Sequence, residues 1–295
     1  MEYISALVAG LGSGSLYAVI GVLLVLMARL TRVINFSQVA VGVYAAFLSI
    51  RLAQLVAPMQ LPKPIVLLLS ITLAIVVGAL VSALLGWIIA TWLGESSTTA
   101  RSAVTVAGML FLISVSVLQF GPLSQALIPL AVGPMFTVGL ITVTKVSVYL
   151  TLLAICIVLL AKFVLSKTPA GVQLRAAADR QTTAELLGLN VKALQVGVWA
   201  STGALMTFAL LIGGNNLAPQ VGVGADLIIP GAAAALVGAF KRMDLALIGG
   251  LLLGAVQGLV IMWPEISLIR DWIPILIIVI FLLWNQRKEV WDVAR

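Results

Sequence analysis

The run SKTPAGVQLRAAADRQTTAELLGLNVK, Ser166–Lys192, interrupts an otherwise oily chain. It holds Lys167, Arg175, Asp179, Arg180, Glu185 and Lys192, in a sequence of 295 residues that is 62% hydrophobic and only 9% charged. A soluble domain of that length cannot cover its surface with so few charges. The segment therefore reads as an aqueous structure built by a protein whose remainder lies in lipid. What docks on it is the main clue to function.

Working outward from it, the flanking sequence supplies uncharged runs long enough to cross a bilayer, which takes about 20 mainly apolar residues. Tyr3–Ala28 and Pro64–Gly94 are two of them. Parts of Ser102–Thr144 and Ala193–Ala225, and Leu245–Pro264, are others. Shorter runs lie at Val33–Ile50, Val146–Ala161, Leu227–Phe240 and Trp272–Gln286. The apolar residues run continuously rather than alternating, which excludes a β-barrel pattern. The reading is an all-α, polytopic helical bundle of about eight or nine membrane segments, some broken or re-entrant, forming a single domain over residues 1–295. Within Ser102–Thr144 it expects one span, followed by an outer loop or re-entrant piece marked by Gly121-Pro122, Pro129 and Gly133-Pro134. Met1–Ala28 lacks a basic leader region and its apolar run is long, so it counts as the first span rather than a signal peptide.

Charge sets an orientation. If Ser166–Lys192 is cytoplasmic and the spans alternate, Arg29, Arg32, Arg101, Lys162, Lys167, Arg175, Arg180, Lys192, Lys241, Arg242, Arg287, Lys288 and Arg295 fall inside, and Arg51, Lys63, Lys145 and Arg270 outside. That division follows the positive-inside rule, with the N-terminus outside and the C-terminus inside. The net charge of +7 is explained by orientation, not by nucleic acid. The chain has no histidine and one cysteine, Cys156, which leaves no disulfide or multi-cysteine metal site within it.

Two stretches break the lipid-like pattern. LTRVINFSQVAVGVY, Leu30–Tyr44, places Asn35, Phe36, Ser37 and Gln38 at the head of a short apolar run. GGNNLAPQVGVGADLIIPG, Gly213–Gly231, places Asn215 and Asn216 ahead of another. Irregular backbone at membrane depth is tolerated only inside protein or beside a wet cavity. Two interrupted segments in corresponding halves point to a transport pathway built from a repeat. An external or interfacial loop accounts equally well for the second stretch. Gly10-x-x-x-Gly14, Gly250-x-x-x-Gly254 and Gly254-x-x-x-Gly258 read as sites of close helix approach.

Thr168-Pro169 is a helix start, and Gly188 followed by Asn190 a stop. A single helix of about five turns is predicted between them. Arg175 and Asp179 share one face at i, i+4, Ala176, Ala177, Ala178 and Ala184 keep the surface small, and Leu186 and Leu187 give one end an apolar grip. Such a helix fits a cleft on another protein. By the residues alone, a solvated connecting helix that binds nothing fits as well.

Gly171-x-x-x-Arg175-Ala176, Asp179, Ala184 and Leu187-Gly188-x-Asn190-Val191 resemble the cytoplasmic signature of the branched-chain amino acid ABC permease family, of the LivH/LivM type. Ile34-Asn35-Phe36-Ser37-Gln38, Gly12–Ala18 and Ala232–Gly254 are similar to other stretches of that family, in its order. Val39-Ala40 stands where many members have Gly-Glu, and Gly238-Ala-Phe-Lys-Arg-Met replaces the usual Gly-Gly-x-Gly-Ser turn. The resemblance implies an importer permease in a bacterial cytoplasmic membrane that translocates branched-chain amino acids or related small polar solutes. Gly171, Arg175, Ala176, Asp179, Ala184, Gly188 and Asn190 would engage the ATPase, and Asn35, Phe36, Ser37, Gln38, Asn215 and Asn216 would line the solute pathway. The chain has no Gly-x-x-x-x-Gly-Lys-(Ser/Thr) phosphate loop, so ATP and Mg belong to separate ATPase subunits and no cofactor is expected here. A second, related permease subunit and an extracytoplasmic solute-binding protein complete the implied set. The competing reading is an ATP-independent carrier or channel for a small polar solute. It ordinarily uses ionisable groups within the bundle, and no predicted span has one near its centre. An intramembrane enzyme has few tools here, and a purely structural subunit leaves the breaks unexplained.

Overall fold

The computed structural model describes residues 2–56, 62–94, 96–121, 130–139, 141–213 and 223–293. Eleven helices and one hairpin follow in chain order: α1 (Glu2–Thr31), α2 (Gln38–Val56), α3 (Lys63–Trp92), α4 (Thr98–Phe120), β1 (Pro134–Val138), β2 (Ile141–Thr144), α5 (Lys145–Lys167), α6 (Pro169–Asp179), α7 (Gln181–Leu186), α8 (Val191–Gly213), α9 (Val223–Val237), α10 (Met243–Val260) and α11 (Ile273–Val293). A 3-10 segment, Pro264–Trp272, joins the last two. Eight helices are long and apolar enough to span a membrane, and α9, with Pro230 inside it, is a shorter apolar helix. The protein is a multi-pass membrane protein of mostly helical fold, as the apolar runs predict. The antiparallel pair β1–β2 was not foreseen. It occupies part of the stretch expected to be a loop or re-entrant piece, and α4 is the one described span there.

The starts follow local chemistry. Ser97 accepts the Ala100 N–H at α4, and Thr144 accepts the Ser147 N–H at α5. Each takes one of the N–H groups a helix start leaves unpaired. Pro62 precedes α3, with Pro64 in its first turn.

The helices alternate in direction. One end of the bundle gathers the ends of α1, α3 and α5 with α6, α7 and the starts of α4 and α8. The opposite end carries the Tyr3–Trp263 ring contact and the Arg51 to Gln119 carbonyl bond. Arg29, Arg32, Arg101, Lys162, Lys167, Arg175, Arg180, Lys192, Lys241 and Arg242 lie at or beyond the first end. Arg51, Lys63, Lys145 and Arg270 lie toward the second. Lys162 and Arg242 both reach Asp244, tying the α9–α10 turn to α5.

The packing repeats itself. Helix α1 lies along α10 as α8 lies along α3. Helix α9 packs on α1 as α2 packs on α8, while α2 contacts α3 and α4 as α9 contacts α10 and α11. Since α1 ends where α8 begins, the halves α1–α4 and α8–α11 are inverted, with α5, α6 and α7 between them. Both long interfaces rest on small residues. Ala6, Gly10, Gly14 and Ala18 of α1 meet Gly258, Gly254 and Gly250 of α10, backbone against backbone. Across α3 and α8, Gly78 faces Thr207, Ser82 faces Gly203 and donates to the Trp199 carbonyl at 2.6 Å, and Gly86 faces the Trp199 ring. Helix α1 is the most enclosed, with Leu16, Val19, Ile20, Leu23, Leu24 and Met27 wholly buried. Leu80 and Leu84 of α3 and Leu159, Leu160 and Phe163 of α5 face outward, as lipid contact requires.

The α9–α10 turn is strained. Ala239 and Phe240 both adopt left-handed φ, 49° and 52°. The turn caps α9 through Phe240 N–H to the Ala235 carbonyl, at 3.0 Å. These are positions where glycine would fit without steric strain.

Two outcomes test the packing and the turn. A Cβ at Gly254 would strike the Gly14 backbone and the Gly10 carbonyl. Overpacking costs roughly 1–3 kcal/mol, so Gly254→Val should lower the melting temperature in detergent and broaden the size-exclusion peak. Ala239 is exposed, and a left-handed non-glycine costs roughly 1–2 kcal/mol against roughly 0.5–1 for glycine's extra chain entropy. Ala239→Gly should therefore raise stability by about 0.5–1 kcal/mol, read from the same melting curves.

Candidate functional site

The polar segment begins as its sequence predicts. Thr168 Oγ1 accepts the Gly171 N–H at 3.1 Å, and Pro169 opens α6. It does not continue as one five-turn helix. Arg180 is extended, at φ −145° and ψ 98°, and separates α6 from the short α7. The break permits a compact turn: Ala177 and Ala184 are both buried with Val191, and Leu189 and Leu194 pack beside them. The alanines thus form an internal seam rather than an outer surface. Gly188, at φ 82°, ends α7. Its N–H bonds the Glu185 carbonyl at 2.9 Å and the Leu189 N–H bonds the Ala184 carbonyl at 3.1 Å, the paired closure of a Schellman motif. Asn190 then caps α8, with Oδ1 accepting the Ala193 N–H at 3.1 Å.

Gly171 has its backbone pressed on the Val164 carbonyl, so a side chain there would force α6 off the end of α5. Ala176 is half-buried. What the segment presents outward is Val172, Arg175, Asp179 and, most openly, Leu186 and Leu187, 84% and 76% exposed. Two adjacent leucines that open to water, on a segment with its own buried seam, are unusual unless something covers them.

The first polar break lies at the same end of the bundle. Between Thr31 and Gln38 the chain leaves helical geometry, with Arg32 left-handed at φ 54°. Asn35, Ser37 and Gln38 have no exposed surface and Phe36 is half-buried. The loop's backbone is held by α4: Ser102 Oγ accepts the Ile34 N–H at 3.2 Å and Thr105 Oγ1 accepts the Phe36 N–H at 3.0 Å, while Thr105 donates to the Ile34 carbonyl. Ser37 donates to Asn35 Oδ1 at 2.7 Å. The Asn35 Nδ2 and both ends of the Gln38 amide are buried without a partner. Groups in that state cost free energy unless a partner reaches them. Sequence reasoning missed Ser102 and Thr105. Their i, i+3 spacing on an apolar helix is the signal that marks a hydroxyl stripe. Asn215 and Asn216 lie outside the described residues.

One bond joins the two regions. The Arg32 guanidinium donates Nη2–H to the Asp179 carbonyl at 3.1 Å. That carbonyl is among those α6 leaves unpaired at its C-terminus, where a cation is favoured. Arg175 and Asp179 share a face but form no ion pair. A cavity of about 650 Å³ opens beside this link, between α6–α7 and the ends of α1, α3 and α4.

Residues 6–284 match the family described as the permease component of the branched-chain amino acid transport system. No curated protein matches the chain. The matched span takes in the polar segment, both breaks and all eight spanning helices. Members of that family are transport subunits, not enzymes, and the inverted bundle with its polar breaks suits that role. On the strength of a match over nearly its whole length, this chain belongs to the permease-component family of branched-chain amino acid transport systems.

Proposed function

We propose that the chain is the membrane permease of an ATP-driven importer for branched-chain amino acids or related small polar solutes, and that residues 166–192 are its coupling segment. ATPase subunits, which carry ATP and Mg, dock on the outward face of α6–α7 through Leu186, Leu187, Val172 and Arg175. Gly171, Ala176, Ala184, Gly188 and Asn190 keep that face in shape. The observation that carries the reading is the Arg32 to Asp179 bond. It ties the segment an ATPase would push to a loop that holds unpaired polar groups inside the bundle. Motion of α6 then reaches Asn35, Phe36, Ser37 and Gln38, which offer a passing solute uncharged hydrogen-bonding groups. Uncharged contacts favour passage over retention.

The cation distribution supports an N-terminus outside, a C-terminus inside and α6–α7 in the cytoplasm of a bacterial cell. A second, related permease subunit supplies the other coupling segment, and an extracytoplasmic binding protein delivers solute to the opposite face.

Coupling is tested in proteoliposomes that hold the whole complex. Replacing Leu186 and Leu187 together by Asp should cut ATP-driven uptake by more than about tenfold, since two desolvated leucines are worth roughly 1.5–3 kcal/mol each, with membrane insertion intact. Unchanged coupled uptake, or uptake with no ATPase present, refutes the reading. Gln38→Met separates pathway from packing. Removing unpaired buried amide atoms is neutral or stabilising, so the melting temperature should hold or rise while uptake falls. Equal uptake by the variant removes Gln38 from the pathway.

A further inference from the structure

The cavity beside α6–α7 adjoins the Arg32–Asp179 link but receives no ATPase contact in the scheme above, and its lining is specific. Thr31 closes α1 and Arg32 follows it in the break, Thr91 and Trp92 come from α3, Arg101 from α4, and Lys192 from α8. Among the described residues, Asp179 and Glu185 complete the charged set, three cations with two carboxylates. One carboxylate is occupied, because Gln181 donates to Glu185 Oε1. Arg101 is held by the Ser96 carbonyl through Nε and by the Gly94 carbonyl through Nη2. Those bonds fix its guanidinium at the mouth of the α3–α4 connection.

Position in the membrane decides what can enter. Helix α3 is peripheral, and at its cavity end Trp87 and Trp92 form an exposed ring pair with centroids 5.9 Å apart. Paired exposed tryptophans at a helix end mark the headgroup level of a bilayer. The cavity therefore opens at the depth of lipid phosphates, at the edge of the bundle, with Trp92 as part of its rim. Basic pockets between spanning helices at that depth suit anionic head groups. A phosphodiester can bridge the three cations, and head-group hydroxyls can donate to Asp179 and Glu185.

We propose that this cavity binds the head group of an anionic phospholipid of the phosphatidylglycerol class, with its phosphate between Lys192, Arg101 and Arg32 and its acyl chains along the outer face of α3. Bound there, the lipid braces α6–α7 against α3 and α4. The site does not depend on the ATPase partnership, since it requires only that this end of the bundle lie at a membrane surface.

The test uses the full-length chain released from nanodiscs into native mass spectrometry. Phosphatidylglycerol should stay bound to the wild type at least about fivefold more than phosphatidylcholine or phosphatidylethanolamine, in line with roughly one kcal/mol per basic contact. Lys192→Glu should abolish that preference, while Lys145→Gln, at the opposite end, should leave it intact. Melting in the presence of added inorganic phosphate or glycerol 3-phosphate distinguishes the two sources of the phosphate group. Stabilisation by phosphatidylglycerol alone supports the lipid, and equal stabilisation by the soluble phosphates overturns it. Equal retention of the three lipids by the wild type overturns the proposal without any variant. So does a Lys192→Glu chain that melts like the wild type and keeps the preference.

Discussion

Backbone-to-backbone approach of helices is the constraint on which the rest of this structure depends. In lipid there is little hydrophobic gain in bringing two apolar helices together, so association rests on close packing and a few hydrogen bonds. Ala6, Gly10, Gly14 and Ala18 against Gly250, Gly254 and Gly258 allow α1 to sit flush on α10, and Gly78, Ser82 and Gly86 against Trp199, Gly203 and Thr207 do the same for α3 and α8. With these two seams closed, α1 becomes the buried axis of the bundle. Every other element is then placed relative to it.

That axis makes a break affordable. A chain that leaves helical geometry at membrane depth strips its own backbone of partners. Here the loss after Thr31 is made up by α4, whose Ser102 and Thr105 serve the Ile34 and Phe36 amides. The side chains of the same loop are treated differently: Ser37 and Asn35 bond each other, while Gln38 is left with both amide ends unpaired. On the proposed function, a passing polar solute supplies the missing bonds for part of a cycle.

What could be read in the sequence was local, and what escaped it was long-range. The spans, the Thr168-Pro169 start and the Gly188 stop each depend on a few neighbouring residues, and each is where the composition places it. The Gly-x-x-x-Gly pattern announced close packing but not which helix would meet α1, because the partner lies more than 200 residues away in the chain. Nor did the segment of small residues show that Ala177 and Ala184 would turn inward at Arg180. A run of alanines fits either face, and the seam with Val191 decides it. The β1–β2 hairpin was hidden by proline and glycine residues that read equally well as a loop. The carry-over of site residues from the family signature is uneven for the same reason. Gly171, Ala184, Gly188 and Asn190 shape the segment, whereas Arg175 and Asp179 face outward.

The inverted repeat gives these local features a common logic. The 32–37 connection joins α1 to α2 at one end of the bundle. Helix α8 runs opposite to α1, so the end of α8 and the start of α9 lie toward the other end. The helices that follow α1 and α8, namely α2 and α9, contact each other inside the bundle. Inverted halves of this kind suit the rocking motion that alternating access uses. Among the described residues only the Arg32 end carries an insertion, α6–α7, so the two inverted halves are joined asymmetrically. On the proposed function, that asymmetry lets work done on one face of the membrane set the direction of movement.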